Sequence, residues 1–271
     1  ELRTDFTPNV LGELVKGFPK ETFLIGLSSI HWREAWKYGE RAFRYCQHDI
    51  GHALAALRVA AQVLGWRLVL LEDVADNRIR QVLGLDPSHG FDDAELEHPD
   101  LMVAVFFPTG SQIVPLNLDS DAVKNVSEGI WLGKANRLSE NHVPWDIIDV
   151  VAEASIKPEV GVKRNVPIEI LSGVDWGEIH QTPRFQRITA RQIIRQRRSA
   201  VAFDGVTSIS DQEFYAMLSH LRADSNHPVM PWDAVTWTPS IHLLLFVHRV
   251  RNLPSGLYFL VRNPGQEKSI R

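Results

Sequence analysis

The strongest constraint on this chain is a periodic run near its start. Phe43, Cys46, Ile50, Ala53, Leu57, Ala60 and Leu64 recur at steps of three and four, the spacing that lines one face of an α-helix. Gly65 follows directly and is a natural stop. The spacing therefore predicts a helix over 40–65. Behind it, RLVLLED (67–73) reads as a strand, 75–86 as a short helix ending near Gly84, and the apolar run 100–110 as a buried strand. A helix over 144–156 places Pro144 in the first turn. Residues 157–183 hold Pro158, Pro167 and Pro183 with little periodicity, so a linker is expected at 161–184. Two more helices follow, 189–200 capped by Thr189 and 208–222 opened by Ser210 or Asp211 with Glu213 in the first turn. Strands at 241–250 and 256–262 flank the turn RNLPSG.

A chain of 271 residues exceeds what one compact core usually needs. Its net charge of −4 argues against a whole-protein affinity for nucleic acid. The single cysteine, Cys46, excludes an intramolecular disulfide and fits a reducing compartment. No apolar run reaches membrane-spanning length. The start has no signal-peptide pattern, so the expected location is the cytoplasm. Both ends read as cut, which leads us to expect a piece of a longer protein.

The stretch CQHDIGHALAAL (46–57) also spells His48-Asp49 and His52, the wording of a metal-dependent phosphohydrolase. Two histidines four apart on a helix can share a metal. Relative to Cys46, however, His48 and His52 lie at roughly 200° and 240° around the helix. They fall opposite the apolar stripe and beside Arg44, poor company for a cation, so no metal site is expected.

The same region carries a different signal. Trp36-Lys37-Tyr38-Gly39, the segment Arg41 to Tyr45, Gly51-His52-Ala53 and Leu64-Gly65 occur in this order over nearly forty residues. This stretch resembles the second half of flavin-dependent nitroreductase-fold proteins, above all SagB-type dehydrogenases, which oxidise azolines to thiazoles and oxazoles. Downstream, IIRQRRSAVAFDGVTSISDQEFYAMLSHL (193–221) and IHLLLFVHRVRNLPSGLYFLVR (241–262) are similar to the beginning of such a domain. The resemblance implies an α+β nitroreductase-like fold, with a central, mainly antiparallel sheet flanked by helices. It implies a tandem protein: 1–160 the C-terminal half of one domain, 161–184 a linker, 185–271 the N-terminal half of a second. Domains would pair within the full-length chain or across a homodimer.

The implied cofactor is FMN, and the implied activity is two-electron hydride chemistry on a small molecule or a heterocyclised peptide. Lys37 and Tyr38 match the Lys-Tyr pair implicated in catalysis in the azoline oxidases. A lysine or tyrosine beside the ring can accept the proton that leaves carbon as hydride passes to flavin. Arg197, Arg198 and Ser199 match the family's phosphate- and flavin-binding Arg-Arg-Ser motif, and a phosphate dianion favours arginine forks. Read without the resemblance, they are equally a solvated basic face. Arg41 is a further cofactor-binding candidate, as are Lys134 and Arg137 after Gly133, which also read as a surface loop. One departure stands out. The segment 227–242 keeps Pro239-Ser240 but lacks the following Ala-Gly and places bulky Trp232 and Trp237 nearby. The alternative reading is therefore a non-catalytic nitroreductase-like scaffold with a decayed flavin site.

Overall fold

The computed structural model of the chain describes residues 2–3, 7–85, 95–133, 143–159, 161, 164–168, 188–221, 230–237, 239–263 and 266. The chain divides into two compact units, Glu1–Ile170 and Leu171–Arg271.

In the first unit the elements run β1 (Leu2–Arg3), α1 (Pro8–Leu14), β2 (Phe23–Ser29), α2 (His31–Tyr38), a short 3-10 turn (Gly39–Arg41), α3 (Ala42–Val63), β3 (Arg67–Leu70), α4 (Asp76–Leu83) and β4 (His98–Phe106). They continue with β5 (Gln112–Pro115), α5 (Ser120–Ser127), β6 (Trp131–Leu132), α6 (Asp146–Ala154) and β7 (Asn165–Ile168). The main sheet is antiparallel with strand order β2-β4-β3. Among the described residues this unit also holds two small antiparallel pairs, β1-β6 and β5-β7. This is an α+β arrangement, as expected, with helices packed on an antiparallel sheet.

All six residues from Leu101 to Phe106 are buried. Successive strand residues face opposite ways, so β4 is covered on both faces. Met102 and Ala104 join Leu14 of α1, Ile79 of α4 and Val123 and Val126 of α5 in one apolar cluster. Phe106 closes a second cluster with Val69, Val114 and Leu116. Ala35, Ala42 and Ile148, with Phe43 against them, form a third where α2, α3 and α6 meet.

Helix α3 falls within the predicted 40–65, but its buried stripe is rotated. Ala42, Cys46, Leu54, Arg58 and Ala61 are inside, whereas Ala60 is exposed and Leu64 is 57% exposed. The second half of α3 is apolar around much of its circumference, so the side from which α2 and β3 approach decides which residues are covered. Arg58 tolerates its position because its guanidinium hydrogen-bonds Gln62 Oε1 at 3.1 Å from both terminal nitrogens. Its aliphatic stem can then pack.

The expected linker begins inside the first unit. Residues 165–168 form β7 and pair with β5, Val166 opposite Val114. Arg164 Nε reaches both carboxylate oxygens of Asp73 at 3.0 Å, and Asp73 is 1% exposed. The main chains of Leu116 and Asp73 continue the same network. Further back, Lys157 N donates to Asp76 Oδ2 at 2.8 Å while Asp76 N donates to Lys157 O at 3.2 Å. Proline suggested a break here, yet Pro167 falls on a short outer strand, where it is tolerated. The two compact units divide between Ile170 and Leu171.

The second unit contains α7 (Ala190–Gln196), α8 (Asp211–Ser219), β8 (Leu243–Val247) and β9 (Gly256–Leu260). Thr189 caps α7 through Gln192 N, as the sequence implies. Ser210 and Glu213 form a reciprocal capping box on α8. Strands β8 and β9 pair as an antiparallel hairpin, with Leu245 opposite Tyr258. Phe214 and Leu218 of α8 line an apolar pocket together with Leu245, Tyr258 and Leu260. A two-stranded hairpin is marginal alone, and this contact supplies packing it needs.

Two substitutions test these accounts. Gly84 ends α4 in the left-handed region at φ 68°, and a Cβ there would lie 2.5 Å from the Trp131 ring. Gly84→Ala is expected to cost about 1–3 kcal/mol in urea denaturation, from strain plus overpacking. Ser210→Ala removes the α8 cap and is expected to cost about 1 kcal/mol in the same measurement.

Candidate functional site

Lys37 and Tyr38 occupy the last turn of α2, whose inward face is His31 and Ala35. Gly39 then turns the chain at φ 58°, and a Cβ on it would meet the Trp145 ring at 3.1 Å. That turn folds α2 back on α3. Tyr38 stacks on Tyr45 with centroids 4.1 Å apart, and Lys37 Nζ lies 5.1 Å from the Tyr38 ring centre. Trp36 is 79% exposed beside them, and Arg41 and Arg44 are exposed as well. The result is an outward corner of flat rings and cations.

The other candidates are placed differently. Arg197, Arg198 and Ser199 are exposed just beyond α7, in the second unit. The Arg198 guanidinium folds back onto its own segment, donating to the carbonyls of Arg195 at 3.0 Å and Arg197 at 2.7 Å. Lys134 and Arg137 lie outside the described residues. His48, Asp49 and His52 are exposed on α3, away from its buried stripe, as the helical angles imply. Trp232 is fixed by an Nε1–H bond to the His220 carbonyl at 2.7 Å, with the Arg262 guanidinium 4.3 Å above its ring.

A second constellation was not marked by any motif. A pocket of about 230 Å³ opens between α3, α4, the start of β4, and α6 with the segment that follows it. His31, the first residue of α2, lines it while only 5% exposed, and neither ring nitrogen has a hydrogen-bond partner. Its ring stacks on His98 with centroids 4.5 Å apart. Burial, reinforced by His98, holds the His31 imidazole down at about 4, so the ring is neutral at pH 7. His98 is lowered too, by burial and then by the nearby Arg80.

Asp100 accepts hydrogen bonds from Ser29 Oγ at 2.7 Å and Gln47 Nε2 at 3.3 Å. Burial nonetheless pushes its carboxyl up to about 6, the two hydrogen bonds opposing the shift. Burial also raises the Cys46 thiol to about 11, which leaves it protonated and a poor nucleophile. Lys157 is lowered by burial, while Asp76, Asp73 and Glu72 work to keep it charged. The arrangement offers two neutral imidazoles, a carboxyl that titrates near neutrality, and cations at the rim. Such groups suit binding and proton exchange.

Sequence reasoning passed over His31 because its surroundings are distant in the chain. His98 and Asp100 come from β4, and Gln47 from the middle of α3. Comparison adds no relative: no protein-family model, no curated protein and no solved structure matches the chain. Among the described residues, no group of His, Cys, Asp and Glu is arranged to hold a metal ion, and no helix is long and apolar enough to cross a membrane.

The buried His31 and the half-buried Asp100 pull stability in opposite directions. His31 binds fewer protons in the folded chain than in the unfolded one between 6.5 and about 4, so its contribution is full above pH 6.5 and lost as pH falls toward 4. Asp100 binds more protons when folded between 3.8 and about 6, so its contribution grows as pH falls through that window. Each single variant therefore unmasks the other group. In urea titrations, His31→Phe is expected to make stability fall with rising pH through the acidic window. Asp100→Asn is expected to make it rise.

Proposed function

We propose that this chain is part of an FMN-dependent oxidoreductase of the nitroreductase type, SagB-like in its wording, performing two-electron chemistry on a small molecule or heterocyclised peptide. The observation that carries the reading is the α2–α3 corner. The ordered motif pieces fall on one continuous helical hairpin, with Gly39 at its bend and Lys37, Tyr38, Tyr45 and Arg41 gathered about it. A flat flavin ring favours aromatic neighbours, and its phosphate favours guanidinium groups.

The residues fit one side of such a cofactor. Tyr38 and Tyr45 provide a stacked aromatic surface, and Lys37 an ammonium beside it. Arg41 and Arg44 lie exposed on the same hairpin; Arg197, Arg198 and Ser199, in the second unit, are phosphate-type donors for that unit's own site. Bound FMN would supply the hydride acceptor. Lys37 or Tyr38 would take the proton released from the same substrate, a role typically worth roughly 10²–10⁴ in rate.

The second reading, a scaffold without catalysis, is favoured by Trp232. Its indole is anchored to His220 and covered by Arg262, in the segment where the family has small residues beside the flavin. A tandem protein could keep one flavin site and lose the other.

The absorption spectrum of the purified full-length protein tests the assignment. A yellow protein that releases FMN, with turnover lowered roughly 10²–10⁴-fold by Lys37→Ala or Tyr38→Phe, is the expected result. A colourless protein that fails to take up added FMN sides with the scaffold.

A further inference from the structure

The pocket beside His31 is separate from the Lys37–Tyr38 corner, and its polar groups are unevenly satisfied. Its acids are engaged: Asp100 accepts from Ser29 and Gln47, and Asp76 accepts the Lys157 amide. Its donors are not. Both nitrogens of His31 are buried without a partner. Arg80 lines the same pocket half-buried, close enough to His98 to depress its protonation, and makes no ion pair among the described residues. Buried donors left unmade are costly. The neutral His31 ring leaves one N–H donor and one acceptor nitrogen unmade, and Arg80 adds a guanidinium without an ion pair among the described residues, so the pocket suits a ligand that brings acceptors.

Three further features narrow the ligand class. The pocket also presents apolar surface, from Phe43, Pro99 and Ile156. Its volume of about 230 Å³ is below the ~300–1,000 Å³ typical of drug-sized ligands. Asp76 and Asp100 share the pocket with Arg80 and Lys157, so its formal charges nearly cancel and a dianion is less well matched than a single negative charge.

We propose that this pocket binds a small organic monocarboxylate. Arg80 pairs with its carboxylate, His31 donates the N–H of its neutral ring, and Phe43 and Ile156 cover its apolar body. A guanidinium and a neutral imidazole converging on one carboxylate give charge-assisted hydrogen bonds, the strong kind. The site stands on its own geometry and does not rest on the flavin reading.

Isothermal titration calorimetry of the full chain, with benzoate and butyrate as probes, tests the proposal. Histidine ring signals followed by NMR, with the His31 signal assigned by its loss in His31→Phe, report where the probe sits. The expected result is saturable binding of at least one probe that moves the His31 signals. Benzamide, which lacks the charge, should not bind. Arg80→Gln should weaken binding roughly ten- to hundred-fold, Arg80→Lys should recover part of it, and Lys37→Ala should leave it unchanged. Circular dichroism checks that each variant folds; Arg80, on the half-buried face of α4, decides the matter if His31→Phe does not. The proposal is overturned if neither probe binds, if Arg80→Gln binds as tightly as the parent chain, or if inorganic phosphate displaces benzoate at lower concentration than benzoate itself requires.

Discussion

The pairing of β4 on both of its edges, with both of its faces covered, is the constraint on which the first unit depends. Phe23 to Leu27 run opposite Val105 to Leu101, and Arg67 to Leu70 run opposite Phe106 to Val103. A strand in that position satisfies its backbone groups without water and leaves six consecutive side chains to the interior. Burial of this kind stabilises by roughly 25 cal/mol per Å² of apolar surface. It also makes the strand a rigid reference for everything attached to its ends.

The pocket follows from that reference. The β2–β4 register shifts between Leu27 and Ser28, setting Ser29 opposite His98. Such an irregularity bends a strand locally and re-aims its side chains. Ser29 then reaches Asp100, and the chain turns at Ile30 into α2, bringing His31 onto the His98 ring. Ser155, Ile156 and Lys157 line the other side, held by the reciprocal Lys157–Asp76 bonds. Titratable groups that water would ordinarily hold at their usual values are thereby taken out of it.

Helix α2 divides two chemistries between its faces. His31 and Ala35 are buried, one turn apart, while Trp36 and Lys37 point outward. The inward face meets a preformed, partly apolar pocket; the outward face adds cations and a phenol to the tyrosine of α3. With 3.6 residues per turn, eight residues suffice to serve both.

Local physics was legible directly. The Ser210–Glu213 capping box, the Thr189 cap, the left-handed Gly84, the β8–β9 hairpin and the extent of α3 all depend on residues close in the chain, and periodicity or cap chemistry reports them. Lys37 and Tyr38 were marked by resemblance alone, and helix α2 that carries them was not among the expected elements. Other features rest on contacts between distant segments. Which side of α3 is buried depended on where α2 and β3 pack, so Arg58 went inside and Leu64 stayed out. Residues 165–168 became a strand because β5 offered an open edge, more than fifty positions earlier. His31, His98, Asp100 and Arg80 are ordinary polar residues in sequence. Only the packing of α2, α3 and α4 about β4 brings them to one pocket and takes His31, His98 and Asp100 largely out of water, a property of the fold and of no single segment.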